Sequence, residues 1–123
     1  MSINLAAAPP DPELFNTEAE SVAIKLNQVP GHLNKTSQIR RFYDELVGWQ
    51  ERVDGDDEKF KQYEAFIKML NAKVAYAKGR KLVDDQFEFW FRDCIKSTSN
   101  AKALDHFRLH FEAMLGFLKA LRG

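Results

Sequence analysis

Ser37 to Val53 reads SQIRRFYDELVGWQERV, and its apolar residues Ile39, Phe42, Leu46, Trp49 and Val53 fall at steps of three, four, three and four. That period brings them onto one side of an α-helix and leaves the charges on the other, so a single buried face is expected, with Thr36 and Ser37 as candidate N-caps. Towards the C-terminus, Gly55 and the acidic Asp56, Asp57 and Glu58 mark a turn and a new helix start. From there Phe60, Tyr63, Ile67, Leu70, Val74 and Ala77 carry a helical stripe as far as Gly79, the expected C-cap. Asp84 and Asp85 open another helix with a wide apolar face (Phe87, Trp90, Phe91, Cys94, Ile95), which stops in the polar run Ser97 to Asn100. Leu104, Phe107, Phe111, Met114, Leu115, Leu118 and Leu121 then define a last helix from about Asn100 to Leu121. Towards the N-terminus, a shorter helix begins near Asn16 or Thr17, carries Glu18 and Glu20 in its first turn, and ends before Pro30 and Gly31. Pro9, Pro10 and Pro12 disfavour helix before it. The expectation is an all-α, single-domain bundle of about five helices over residues 13–123, preceded by a flexible N-terminal tail, residues 1–12. Phe42, Leu46, Trp49, Phe66, Leu70, Val74, Phe107, Phe111 and Leu115 are expected in the core. No alternating apolar pattern calls for strands.

The 123 residues fit one domain able to bury a core without cross-links or metals. Ten Phe and two Trp must be fitted into that small interior or onto a partner. Cys94 is the single cysteine, so no internal disulfide forms; the first residues lack the pattern of a signal peptide, and charges interrupt every hydrophobic run. A cytoplasmic protein without membrane contact is expected.

Lysine plus arginine and aspartate plus glutamate both number 18, yet Lys68 to Lys81, KMLNAKVAYAKGRK, holds five basic residues (Lys68, Lys73, Lys78, Arg80, Lys81) and no acidic one. On a helix, Ile67, Leu70, Val74 and Ala77 form the buried stripe. Lys73 and Arg80 lie two turns apart on nearly one line, with Tyr76 about 40° from Arg80. Cations beside an aromatic ring suit phosphates and stacked bases; five cations also suit a plain solvated face, and spacing alone leaves both readings open. Other chemistry has less support. His106 and His110 stand at i, i+4, but HFRLH lacks a zinc-protease glutamate and a third ligand. Cys94 sits among core residues, and Asp54, Asp56, Asp57 and Glu58 lack calcium-loop spacing and suit helix capping. Neither a phosphate loop nor a catalytic set stands out, so the reading is of a non-enzyme with no catalytic residues, no metal and no cofactor.

SQIRRFYDEL (Ser37 to Leu46), followed some twenty residues later by IKMLNAKVAYAKGR (Ile67 to Arg80), resembles the small subunit of the type III-A CRISPR effector, the Csm complex. The resemblance extends more loosely through HFRLHFEAMLGFLKAL (His106 to Leu121) and covers about two thirds of the chain. It implies a non-catalytic helical subunit, used in several copies beside other Csm subunits, that supports the duplex of CRISPR RNA and target RNA. The first motif points to Gln38, Arg40 and Arg41, the second to Lys73, Tyr76, Lys78 and Arg80; Lys68 and Lys81 join them from the charge pattern. Sequence specificity would then rest on base pairing, with the subunit touching only phosphate and ribose. The alternative is a helical protein-interaction module without an RNA role, whose basic stretch meets an acidic partner.

Overall fold

A computed structural model describes residues 3–123. After a 3₁₀ turn at Pro12–Phe15 come α1 (Thr17–Asn27), α2 (Thr36–Val53), α3 (Asp57–Lys68), α4 (Leu70–Gly79), α5 (Asp85–Ser97) and α6 (Ala101–Arg122), with no strand among the described residues. The all-α bundle is as expected, and the helix expected from Asp57 to Gly79 is interrupted at Met69. There the Ala72 amide bonds the Met69 carbonyl (3.0 Å), a three-residue step that tightens the turn. The break lets α3 lie along the C-terminal half of α2 while α4 packs against α5.

Acidic and amide caps set three of the six α-helix starts. Asp56 accepts from the Glu58 amide (2.8 Å), Asp84 from that of Phe87 (3.0 Å) and Asn100 from that of Ala103 (2.8 Å). Neither Thr36 nor Ser37 caps α2, whose N-cap is Lys35; the Thr36 hydroxyl instead accepts from Arg122 (3.0 Å). Nor is Gly79 the cap of α4, for it is the last helical residue. The left-handed position falls on Lys81 (φ 60°), and the Leu82 and Lys81 amides bond back to the Ala77 and Lys78 carbonyls.

Helix α6 is the axis, with α1 and α2 against it and α5 completing an interior that includes Phe42, Phe87, Phe91, Phe107 and Phe111. Phe42, Leu46, Leu70, Val74, Phe107, Phe111 and Leu115 are buried as expected. Phe66 is not, being half exposed on the outer side of α3, and Trp49 is only partly covered. A polar seam fixes α2 on α6: the Tyr43 hydroxyl donates to Glu112 (2.6 Å), Gln50 Nε2 to Asp105 (2.8 Å), and Arg108 to Gln50 Oε1 (2.8 Å).

The loose tail expected for residues 1–12 is not what the described part of it forms; Met1 and Ser2 lie outside the described residues. The Ile3 amide donates to Asp93 (2.9 Å), the Leu5 amide donates to the Ser97 hydroxyl (2.7 Å), and the Leu5 side chain is fully buried. Proline-rich sequence excludes helix, but extended chain can still bury an apolar side chain when neighbouring side chains pair its backbone.

Candidate nucleic-acid interface

The register of α2 against the interior decides which of its polar residues meet α4. With Ile39, Phe42 and Leu46 turned inward, Gln38, Arg41 and Glu45 follow at three- and four-residue steps along the neighbouring flank. On α4, Leu70, Val74 and Ala77 turn inward and place Lys73, Tyr76 and Arg80 along one line behind Met69. The two flanks border a groove of about 850 Å³, floored in part by Phe42 and Ala77.

Five of the nine residues expected at the RNA surface line this groove: Gln38, Arg41, Lys73, Tyr76 and Arg80. Two sequence segments some thirty residues apart therefore converge. The other four point elsewhere. Arg40, one position from Arg41 and so about 100° around the helix, lies over the Tyr43 ring (5.6 Å to the centroid). Lys68, at the end of α3, is near Glu64 (3.8 Å). Lys78 turns to α5, where Asp85 (2.7 Å) and Glu88 (3.3 Å) hydrogen-bond it and raise its pKa. Lys81 occupies the left-handed turn after α4.

Positive charge in the groove is partly compensated. Lys73 pairs with Glu45 across it, and Asp44 also lines it. Arg80 donates to the Tyr76 hydroxyl (3.0 Å), with its guanidinium 5.8 Å from that ring's centroid, while Tyr76 keeps 65% of its surface exposed. Arg41 makes no ion pair with a described residue. Exposed pairs of this kind hold weakly, about 0–1 kcal/mol, so an anion with several oxygens is able to displace Glu45 from Lys73. The groove thus offers three cations, an amide and an aromatic ring on two rigid helices, a set suited to sugar–phosphate contacts without reading base edges.

One protein-family model, Csm2 Type III-A, matches residues 9–123. The chain belongs to this family. It is thereby a small subunit of a type III-A CRISPR system, a component of a Csm complex with other subunits. Comparison with curated proteins and with solved structures finds no match. The family match takes in both motifs that border the groove, together with α1 and α6.

The histidines of α6 in this Csm2-family chain are structural. His106 Nδ1 lies 2.7 Å from the Leu5 carbonyl and His110 Nδ1 lies 2.6 Å from that of Leu14. The Trp90 indole N–H donates to His110 Nε2 (3.0 Å), which leaves the proton on Nδ1 to be donated to Leu14. Burial lowers the pKa of His110 against the opposing effect of that backbone bond. The i, i+4 spacing marked the pair in the sequence, but nothing local announced their carbonyl partners near the N-terminus. Burial, with Asp93 nearby, raises the Cys94 thiol pKa well above its ordinary value, the setting of a packing residue. No group of three or more histidine, cysteine or acidic side chains among the described residues is placed to hold a metal ion, and no described helix is long and apolar enough to cross a membrane.

Proposed function

We propose that this small subunit is non-catalytic and supports the duplex between CRISPR RNA and target RNA through sequence-independent backbone contacts, working in the cytoplasm beside further copies of itself. The observation that carries the reading is the convergence of Gln38 and Arg41 with Lys73, Tyr76 and Arg80 on one groove. Arg41, Lys73 and Arg80 supply phosphate contacts and Gln38 a ribose contact. Because rigid helices fix their spacing, no base need be read. A net charge of zero suits a part whose few contacts are multiplied by neighbouring copies.

The test is a reconstituted assembly carrying Lys73→Ala with Arg80→Ala. Target-RNA affinity should fall at physiological salt while subunit incorporation and helicity stay intact. The log–log salt dependence should become shallower by about 1.4 to 1.8, from roughly 0.7–0.9 for each of the two lost phosphate contacts. Loss of incorporation, with normal RNA affinity in the complexes that still assemble, would make the groove a protein interface and favour the interaction-module reading.

A further inference from the structure

On the flank of α4 turned away from the groove, a second hollow of about 580 Å³ opens between the α3–α4 junction and α5. Helix α5 contributes Phe89, Arg92 and Lys96 at steps of three and four, so a ring and two cations stand in line about one turn apart. Lys68 faces them from the end of α3. Phe89 is the most exposed large apolar residue described, at 71%. The cations are loosely held: Lys68 and Arg92 reach carboxylates only at 3.8 and 3.9 Å, and Lys96 makes no ion pair with a described residue. Asp93, the acidic residue lining the hollow, has one carboxylate oxygen engaged by the Ile3 amide.

We infer that this face binds single-stranded nucleic acid, with Phe89 stacking on an unpaired base and Arg92, Lys96 and Lys68 holding the phosphates on either side. The chemistry favours a nucleic acid over an acidic protein segment. Towards this hollow Phe89 has Arg92, Lys96 and Lys68 beside it, and although Ile3, Val22 and Leu26 line a smaller hollow on its other side, a base needs only the open face of the ring with cations near enough to hold its phosphates. The inference goes beyond the groove reading and does not rest on it. A duplex hides its base faces and suits the groove; only a strand with free bases satisfies Phe89.

The test uses the full-length protein and a labelled oligouridylate of about 12 nucleotides at roughly 50 mM salt, read by fluorescence anisotropy. Phe89→Ala should weaken binding about 5- to 100-fold, and Arg92→Glu with Lys96→Glu should weaken it further. Phe89→Trp should restore affinity, with its emission quenched on binding. An abasic oligonucleotide of equal charge and a fully paired RNA duplex should be indifferent to Phe89→Ala. Arg41→Glu with Arg80→Glu, in the groove, should leave the dependence on Phe89 in place, so failure here and failure of the groove reading remain distinguishable. Because Phe89 is exposed, circular dichroism and urea melts should match the unsubstituted chain. The inference is overturned if the chain does not bind oligouridylate at this salt, if Phe89→Ala binds it as well as the original, or if polyglutamate competes equally and shows the same dependence on Phe89.

Discussion

Two aromatic clusters of similar composition meet different fates. In the interior, Trp90 stands edge-on to Phe111 (4.9 Å, 82°), Phe91 packs on Phe107 (5.6 Å), and Phe42 joins through Phe87 (5.6 Å). At the outer edge, Trp49 stacks on Phe66 (5.7 Å, 6°) and leans on Tyr63 (5.6 Å), with Arg52 4.7 Å from the indole. Both clusters recur at helical steps and look alike in sequence. The interior rings have α2, α5 and α6 around them, whereas α3 packs chiefly on α2 and has solvent beyond it. Aromatic periodicity therefore reports which face of a helix turns towards a neighbour, and the number of neighbours decides whether the face is sealed.

The sharpest separation should come from truncating one ring in each cluster. Phe107→Ala should cost about 3–5 kcal/mol, because a fully buried ring touching Trp90, Phe91 and Phe111 leaves a cavity. In a chain whose total stability is of order 5–15 kcal/mol, this should move the urea midpoint strongly at unchanged slope. Trp49→Ala should cost less, about 1–2 kcal/mol, since solvent already reaches the ring. A double-mutant cycle with Phe66→Ala should return a coupling of about 0.5–1.5 kcal/mol for the stacked pair. Equal losses at Phe107 and Trp49 would erase the distinction between interior and edge.

The smallest effect depends on pH and belongs to the interior alone. His110 is held neutral by burial and by donating to Leu14 while accepting from Trp90. Its folded pKa lies below the unfolded one, so its stabilising contribution is complete above about pH 6.5 and is lost as pH falls through the folded value. Between about pH 7.5 and 5.5 the urea-derived stability should decline by at most about 1.4 kcal/mol per pH unit from this one proton. His110→Gln should flatten that decline, while Trp49→Ala should leave it unchanged. A decline that persists in His110→Gln would assign the titration to another group.

Most helices and their inward faces could be read along the chain, though not the break at Met69, because periodicity and capping chemistry act within a few residues. The stripes at Ile39, Phe42 and Leu46 and at Leu70, Val74 and Ala77 point inward as read, and Asp56, Asp84 and Asn100 cap as their types require. KVAYAKGR was legible as part of a basic segment and SQIRRFYDEL only by its pair Arg40 and Arg41, and the family to which the two motifs point is the one that matches. Everything that depends on residues distant in sequence waited for the tertiary structure. Only packing shows that Arg41 shares a groove with Lys73 and Arg80 while Arg40 and Lys78 do not, since one residue step turns a helical side chain by about 100°. Only packing shows the Pro-rich N-terminal segment held down, because the groups that fix Leu5 come from Ser97 and His106. And Phe66 lies open because no second helix arrives to cover α3, a fact about the whole bundle that no local pattern encodes.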